Sequence, residues 1–345
     1  MNLYHPVTIG SLSLNGNLFL APVAGYSDRA FRAICVEQGA GFTSTELISA
    51  ESVIRNRPDR EPAGPAATLL RRADNERHYA IQLFGAYPER IYEAAVLLAP
   101  WKPDAVDINS GCPVPKVTKT GSGSALMKNP DNLGRVVEAA VKASREYLGN
   151  VPVTIKMRSG WDSSSINYVE CARIAVEAGA VMVSLHPRTR AQGYSGKSDW
   201  SHIADLVSRL AVPVTGSGDL YAPEDAEKML SETGCAAVMF ARGAMGNPFI
   251  FSTTRSLLID GSYTPTDMKT RLAAGFRQLE LLAADIGERS ACLEMRKQFC
   301  AYTKGPKKVT EVSVTYLHGG GALRNVLVHA ETIEEYRAIL GKYLL

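Results

Sequence analysis

The chain has 345 residues, 46% of them hydrophobic and 21% charged, with a formal net charge of +3 at pH 7. This composition is typical of a globular protein with a sizeable core and excludes a disordered or fibrous chain. The net charge is too small to indicate nucleic-acid binding by itself. No apolar run approaches the roughly 20 residues of a membrane span, and the N-terminus lacks a signal-peptide pattern, so we expect a cytoplasmic protein.

Eight short β-rich runs alternate with helical patterns from the N-terminus to about residue 255. The strand candidates are Leu18–Val23, Phe42–Glu46, Tyr79–Phe84, Ala105–Asn109, Val153–Met157, Val181–Leu185, Val212–Thr215 and Ala236–Phe240. The helix-like segments include Asp28–Gln38, Pro88–Leu98, Asp131–Tyr147, Ser165–Ala178, Asp199–Arg209 and Pro223–Glu232. This alternation predicts an α/β fold, a (β/α)8 TIM barrel. The alternative is a doubly wound sheet, but no GxGxxG motif follows any strand.

In a TIM barrel the active site lies at the C-terminal ends of the strands, and unusual polar or turn residues stand at those positions here. From strands one to six they are Pro22, Val23, Ala24, Gln82, Asn109, Cys112, Lys156, Arg158, His186 and Arg188. Lys156 interrupts an apolar strand, where a sealed core would be costly for its charge, so we expect it to face a site. His186, taken alone, is equally consistent with a site residue and with a histidine that is buried in the core and hydrogen-bonded there.

Two glycine-containing loops follow strands seven and eight. Their residues are Gly216, Ser217, Gly218 and Asp219, then Ala241, Arg242 and Gly243. Either loop alone is compatible with a simple turn, but in a barrel the pair favours a phosphate site built from backbone amides. Together with an inward lysine, an amide and a histidine, the loops describe a pocket for flavin mononucleotide (FMN). The same loops, lysine, amide and histidine would also suit a phosphorylated sugar or a substrate that forms a Schiff base.

The segment from Ala105 to Gly123 places a thiol on a rigid turn. Cys112 follows a strand and precedes Pro113 and Pro115, so we predict a loop that resumes neither strand nor helix. Lys116 and Lys119 then supply cations that either lower the thiol pKa or face an anionic substrate. The glycines and serine at 121–123 predict a mobile segment. A buried structural cysteine is the alternative, which the polar flanks disfavour.

The six cysteines are at least eight positions apart, so the sequence contains no CxxC pair, zinc spacing or disulfide framework. We therefore expect reduced thiols and no metal. They are Cys35, Cys112, Cys171, Cys235, Cys292 and Cys300.

The C-terminal part changes character, which predicts a barrel domain over 1–255 and a small helical domain over 256–345. Residues 266–286 carry a helical apolar stripe, and Thr332 to Glu335 form a capping box at a last helix. Between these helices runs a basic stretch, comprising Arg296, Lys297, Lys304, Lys307 and Lys308 interleaved with Phe299 and Tyr302. A solvated helix face is the alternative, but the absence of acids within the stretch favours an RNA-backbone surface.

The sequence resembles the tRNA-dihydrouridine synthases, most closely their bacterial B-type members. The motifs that carry the resemblance are APVAGYSDRAFR, QLFG, DINSGCPVPKVTKTGSGSALM, TIKMRSGWD, HPRTRAQGYSGKSDW, GSGDL and ARGAMGNPFIF, with EMRKQFCAYTKGP near the C-terminus. Departures from the family pattern are Val23 for methionine, Ser217 for asparagine, and Pro187 and Ala241 for glycines.

The resemblance implies an FMN-dependent, NADPH-driven reduction of a uridine in tRNA, with Cys112 as the general acid that protonates C5. Cofactor contacts are then expected from the residues at the strand ends and glycine loops named above. Substrate contacts are expected from Asn109, Lys116, Arg158, Arg188, Gln192, Lys304, Lys307 and Lys308. We also expect a monomer. Two other functions remain open: a flavin barrel acting on a small pyrimidine, and a tRNA-binding protein without catalysis.

Overall fold

The computed structural model describes residues 3–60, 65–304 and 320–344. Its strands are β1 Val7–Ile9, β2 Leu12–Leu14, β3 Leu18–Leu20, β4 Thr43–Ser44, β5 Ile48–Ser49, β6 Tyr79–Phe84, β7 Ala105–Ser110, β8 Val153–Gly160, β9 Val183–Thr189, β10 Val214–Ser217 and β11 Ala237–Phe240. Its helices are α1 Arg29–Glu37, α2 Ala50–Asn56, α3 Pro65–Thr68, α4 Pro88–Val96, α5 Pro115–Thr118, α6 Pro130–Tyr147, α7 Tyr168–Glu177, α8 Ser201–Arg209, α9 Pro223–Thr233, α10 Ile250–Asp260, α11 Met268–Ile286, α12 Glu288–Tyr302, α13 Gly320–Leu327 and α14 Ile333–Leu344.

The predicted TIM barrel is confirmed. Parallel strands follow one another in the order β3, β11, β10, β9, β8, β7, β6, β4. The two ends of this order meet, because the Leu20 N–H donates to the Phe42 carbonyl at 2.9 Å and the Gly41 N–H donates to the Leu18 carbonyl at 2.8 Å. A doubly wound sheet would leave two open edges, so that alternative is excluded.

A short antiparallel hairpin precedes the barrel and was not predicted from the sequence. Its strands β1 and β2 pair through Val7 with Leu14 and Ile9 with Leu12. The buried side chains of Val7, Ile9 and Leu14 share one apolar cluster with Phe19 and other residues at the starts of barrel strands. The hairpin therefore covers the barrel at the end opposite the strand C-termini, which are the end where TIM barrels carry their active sites.

The last four helices form a second apolar core beside the barrel. Its buried members include Leu272, Met295, Phe299, Tyr302 and Tyr336. Phe299 and Tyr302 are fully buried here, so the expectation that they are interleaved with cations on an RNA surface is wrong. Their aromatic area stabilises the helical cluster instead.

The predicted domain boundary after residue 255 falls inside α10. Leu258, in the second half of that helix, packs in the barrel core. Because backbone hydrogen bonds run continuously through a helix, the barrel's last helix extends to Asp260 and the second core begins in α11. Whether the two parts are separate folding units stays a prediction.

The capping box at the last helix is confirmed. The Glu335 N–H donates to Thr332 Oγ1 at 3.2 Å, and the Thr332 N–H donates to Glu335 Oε2 at 3.2 Å. This reciprocal pair satisfies two backbone donors at the helix start. Within the described ranges, none of the helices is sufficiently long and apolar to cross a bilayer.

Candidate active site

A cavity of about 320 Å³ opens at the C-terminal ends of the barrel strands. Many of the predicted site residues line it, namely Pro22, Val23, Ala24, Asn109, Cys112, Lys156, Arg158, His186, Ser217, Gly218, Asp219, Ala241 and Arg242. These residues come from six of the barrel strands and the loops that follow them. Its volume lies at the lower end of the ~300–1,000 Å³ range of ligand pockets.

Cys112 stands at the end of β7 on a turn held by Asn109. The Asn109 side-chain oxygen accepts hydrogen bonds from the backbone N–H groups of Gly111 and Cys112. Contrary to the prediction, a helical turn, α5, follows at once, because proline at the first helical position needs no N–H partner. The expected mobile segment is packed: Ser122 and Gly123 are buried, and a Cβ at Gly123 would lie 2.8 Å from the Cys112 carbonyl oxygen.

The Cys112 thiol is half-buried, and burial raises its pKa above the ordinary value of 9.0. The positive charges of Arg158 and Lys156 act in the opposite direction but do not outweigh burial. Lys116 and Lys119, which the sequence placed behind the thiol, are exposed. The thiol therefore holds its proton near neutral pH, as a proton donor must.

Lys156 lies in the middle of β8 beside Asn109 in the strand register. Its side chain lines the cavity and makes no hydrogen bond or ion pair within the described residues. Burial and the nearby Arg158 lower its pKa to about 8. A cation without a fixed partner, facing a cavity, is suited to an anionic ligand group.

Gln82 lies beneath the cavity rather than in its lining. Its amide nitrogen donates to Asp107 at 2.7 Å, and its amide oxygen accepts from Asn109 at 2.8 Å. Thr154 donates to the other Asp107 oxygen at 2.5 Å. This buried network fixes the Asn109 side chain. We predicted direct cofactor contact for Gln82, whereas its position is one that supports Asn109.

Arg188 is also buried, and its guanidinium is hydrogen-bonded to neighbouring protein groups. Its guanidinium is only 2% exposed and contacts both carboxylate oxygens of Asp219, at 2.9 and 2.6 Å, and the carbonyls of Ser195 and Gly196. It also lies 3.3 Å from His186 Nε2. These contacts use the guanidinium donors, so the direct substrate contact predicted for Arg188 is not what the geometry supports.

His186 lines the cavity and is 9% exposed. Burial lowers its pKa well below 6.5, and the surrounding cations, including Lys156, Arg158 and Arg188, lower it further. The imidazole is therefore neutral at pH 7. Because an arginine can only donate, Nε2 accepts the Arg188 hydrogen bond, which leaves Nδ1 as the protonated nitrogen.

The three glycines of the two loops have different surroundings. Gly218 has φ +104° and lines the cavity, and a Cβ there would clash with the Ser198 hydroxyl and lie 2.7 Å from the His186 ring. Gly243 lines an adjoining cavity, and its backbone approaches the Leu220 carbonyl. A Cβ at Gly216 would instead meet Met229 and Ile203 in the helical layer, so Gly216 allows helix packing.

Arg158 lines the cavity, whereas Gln192 lies in the loop after β9 and is not among the described lining residues. Arg158 is 2% exposed and donates to the carbonyls of Gly111, Thr189 and Gly193. Gln192 is exposed and accepts from the Thr189 N–H at 2.7 Å, which closes the turn. Both side chains therefore hold the loop after β9, and Arg158 also borders the cavity.

The predicted RNA lysines are only partly within the described residues. Lys304 is exposed and lines the adjoining cavity, while Lys307 and Lys308 lie outside the described residues. The start of the basic stretch is paired with acids from outside it: Arg296 with Glu331 at 3.4 Å and Lys297 with Glu294 at 2.7 Å. The sequence reasoning missed these pairs because one acid lies three positions earlier and the other on a distant loop.

Two tyrosines at the cavity were missed. Tyr194 is 58% exposed and lies near the guanidinium groups of Arg242, at 4.5 Å, and Arg158, at 5.7 Å. The ring of Tyr221 also lies near Arg242, with its centroid 5.2 Å from the guanidinium carbon. Both stand in loops after barrel strands, and an aromatic residue between turn residues was the available signal.

The cavity residues fit a flavin nucleotide. Gly218 lines the cavity with backbone rather than with a side chain, and exposed backbone amides at a glycine loop are suited to binding a phosphate. Lys156 offers to the same cavity a cation that has no ion-pair partner among the described residues, and Val23, Ala24 and Met239 offer apolar surface for a flat ring. The side chain of Ser217 faces the Met239 carbonyl at 3.0 Å rather than standing free for a ligand.

Comparisons with known proteins show similarity to one protein family. A family model described as "Dihydrouridine synthase (Dus)" matches residues 19–323. The chain is 52% identical over 314 residues to a "Probable tRNA-dihydrouridine synthase" of Treponema pallidum (strain Nichols), covering 90% of this chain and 91% of that protein. It is 31% identical over 300 residues to "tRNA-dihydrouridine synthase B" of Pasteurella multocida (strain Pm70), covering 86% of each.

Solved structures with low sequence identity share the fold. Morphinone reductase superposes with a TM-score of 0.53 at 14% identity, covering 78% of this chain and 92% of that chain. At this identity the likeness shows the barrel fold alone.

Proposed function

This chain belongs to the dihydrouridine synthase family, and from that premise we propose that it reduces the C5–C6 double bond of a uridine in tRNA. The product is 5,6-dihydrouridine, the cofactor is FMN and the electron donor is NADPH. Family membership makes the chain an oxidoreductase. We further propose that it acts as a cytoplasmic monomer.

Lys156, Gly218, Val23 and Met239 would hold FMN, which would supply the chemistry of hydride transfer to C6 of the uracil ring. Cys112 donates a proton to C5, and bulk water then reprotonates the thiolate. The two electrons come from NADPH, so the uracil gains two hydrogen atoms and NADPH is oxidised. Lys156 supplies positive charge to the part of the cavity where the flavin would bind.

The observation that carries the proposal is that the Cys112 thiol and the Lys156 ammonium line the same cavity at the barrel mouth. Asn109 fixes the cysteine backbone, and the buried Gln82 and Asp107 fix Asn109 in turn. A general acid needs a fixed position and a retained proton, and this arrangement supports both. The target base has to leave the RNA fold to reach this depth.

The test is an activity assay with purified protein, NADPH and an unmodified tRNA transcript. A yellow protein that gives a uridine nucleoside heavier by two hydrogen atoms supports the proposal. Efficient reduction of free uracil or uridine without RNA would indicate a small-molecule enzyme instead. A colourless protein that binds tRNA would indicate a non-catalytic role. Mapping dihydrouridine in a deletion strain would identify the position modified.

A further inference from the structure

Arg158 is a buried cation of the active-site cavity without an acidic partner. It is 2% exposed and lines the cavity, and none of the described residues forms an ion pair with it. Burial lowers its pKa to about 10, so the guanidinium still carries its charge at neutral pH. Buried charges in proteins are ordinarily paired, so this guanidinium is suited to negative charge that arises in the cavity.

The hydrogen bonds of Arg158 use three of the five guanidinium donors. Nε donates to the Gly111 carbonyl at 2.9 Å, and Nη1 donates to the carbonyls of Thr189 and Gly193 at 2.9 and 2.8 Å. Nη2 has no hydrogen-bond partner in the described part of the chain, and it is not among the fully buried atoms that lack one. Its two N–H groups are therefore accessible from the cavity that the residue lines.

Arg188, on the neighbouring strand β9, has the opposite arrangement. Both carboxylate oxygens of Asp219 accept from it, so its charge is compensated, and two backbone carbonyls take further donors. Of these two buried arginines, Arg158 is the one with free donors and an uncompensated charge.

The position of Arg158 along β8 separates it from Lys156. The two residues are two positions apart, so their side chains lie on the same face of the strand, and Arg158 is roughly 6–7 Å nearer the barrel mouth. The bond to the Gly111 carbonyl holds its guanidinium beside the turn that carries Cys112. Lys156 therefore borders the deeper part of the cavity, and Arg158 borders the part at the level of the thiol turn.

Reduction of uracil develops negative charge at one particular atom. When hydride adds to C6, the π electrons of the C5–C6 bond form a C4–C5 double bond, and the 4-carbonyl oxygen becomes the oxygen of an enolate. Proton transfer from Cys112 to C5 then restores the carbonyl, so the ring gains one hydride and one proton. C4 is bonded to C5, so this oxygen lies next to the atom that the thiol protonates.

We propose that Arg158 is a catalytic residue of this reaction, in which Nη2 donates to the 4-carbonyl oxygen of uracil and stabilises the enolate. Three bonds to backbone carbonyls fix the guanidinium before the charge develops, as electrostatic stabilisation of a transition state requires. The 2-carbonyl is separated from C5 and C6 by ring nitrogens and gains no such charge. The proposal rests on the proposed function, since the enolate forms only if the ring is reduced.

Two nucleotides test the preference for an enolate without turnover. The ring of 6-hydroxyuridine 5′-monophosphate is an anion at neutral pH, with its charge shared by C5 and the exocyclic oxygens, whereas the ring of uridine 5′-monophosphate is neutral. Calorimetric titrations of the FMN-containing wild type, Arg158→Gln and Arg158→Lys measure both affinities. Arg271→Gln is the matched control, because Arg271 is also buried and holds two backbone carbonyls but lines the adjoining cavity.

The wild type should bind the anionic nucleotide at least about tenfold more tightly than the neutral one, because a catalytic site is complementary to the charge of the transition state. Arg158→Gln should lose most of this preference. Arg158→Lys should keep part of it, since lysine retains the charge but not the planar donor fork. Arg271→Gln should keep all of it.

Single-turnover reduction of a tRNA transcript by pre-reduced protein measures the effect on the reaction. Arg158→Gln should be slower by about 10²–10³-fold, the usual effect of removing a donor to a developing oxyanion. Its tRNA affinity, flavin content and flavin reduction by NADPH should be unchanged, because the interaction strengthens only in the enolate. Arg158→Lys should recover part of the rate.

Three results would overturn the proposal: a wild type without preference for the anionic nucleotide, an undiminished preference in Arg158→Gln, or loss of flavin from Arg158→Lys. The first needs no variant, so the test remains decisive if the substituted proteins do not fold. Dihydrouridine formation at the same rate by the wild type and Arg158→Gln would refute this role and leave the proposed reaction standing. A wild type that forms no dihydrouridine would refute the reaction itself.

Discussion

The side-chain oxygen of Asn109 accepts the backbone N–H of Cys112 at 2.9 Å. This bond ties the thiol-bearing turn to the end of β7, and Gln82 holds the Asn109 amide from below at 2.8 Å. The position of the thiol therefore depends on a residue near the strand end rather than on the loop alone. Rigid strands place reacting groups more accurately than loops do.

The first prediction follows from that bond. Asn109→Ala should retain FMN and its reduction by NADPH but lower dihydrouridine formation by about 10²-fold, because a small displacement of a reacting group has that effect. Single-turnover assays with pre-reduced protein would measure this step. Equal losses in flavin reduction and in RNA reduction would show a general structural defect instead.

Cys112→Ala should leave FMN binding and NADPH oxidation nearly intact and lower dihydrouridine yield by about 10²–10⁴-fold, the usual contribution of a positioned general acid. Cys112→Ser should restore little activity, because a hydroxyl is a far weaker acid than a thiol. The measurement is dihydrouridine per flavin-containing molecule. Near-normal yield from the alanine variant would refute the role assigned to this thiol.

The pKa of Lys156, about 8, predicts a pH dependence of flavin binding. The ammonium is charged below that pKa and neutral above it, so the affinity of the apo-protein for the FMN anion should fall as pH rises from about 7 to about 9.5. Bound FMN favours the charged form, which moves the midpoint above the pKa of the free protein. Flavin fluorescence titrations at several pH values measure the effect.

Lys156→Met is the control for this dependence. It should bind FMN more weakly at neutral pH and lose the decline in affinity between neutral and alkaline pH. The neighbouring groups do not replace it: the pKa of His186 lies well below 6.5, and that of Cys112 lies above 9.0. An unchanged profile in the variant would assign the titration to another group.

Arg242→Glu should abolish flavin occupancy. Arg242 lies at the boundary of the two cavities, between Tyr194 and Tyr221, and the substitution puts a carboxylate beside Asp219 and the phosphate loops. Arg135→Glu, a charge reversal at an exposed position of α6, is the matched control. The ratio of flavin to protein absorbance after purification gives the answer, and full occupancy would contradict the phosphate placement.

A buried ion pair predicts a stability effect away from the site. Arg32 and Glu76 are 1% and 3% exposed, and they meet at 2.7 Å, with Thr43 also donating to Glu76 at 2.6 Å. Arg32→Met leaves the Glu76 carboxylate unpaired and should lower the free energy of unfolding by about 3–5 kcal/mol. Urea denaturation measures this difference.

The double variant Arg32→Met/Glu76→Gln tests the cause of that destabilisation. Removing the negative charge as well should recover part of the stability, since the cost of the single variant is mainly an uncompensated charge. If the effects of the two substitutions simply add, the pair is not coupled, and the interpretation is wrong.

The sequence by itself determined the barrel and the identity of much of the cavity wall. Apolar strands at regular intervals, each ending in a polar or glycine-containing turn, are local patterns that any TIM barrel brings together at one end. Lys156 could be placed at a site from one strand alone, because a charge within an apolar run has to leave the core.

Only the tertiary structure decided which polar residues face the cavity and which support it. Register sets Gln82 beside Asp107 and Asn109 beside Lys156, and register depends on pairing between segments distant in the chain. The partners of Arg188 and Arg271 likewise come from other elements. A polar side chain becomes a ligand group or a structural one according to those neighbours, which local sequence does not specify.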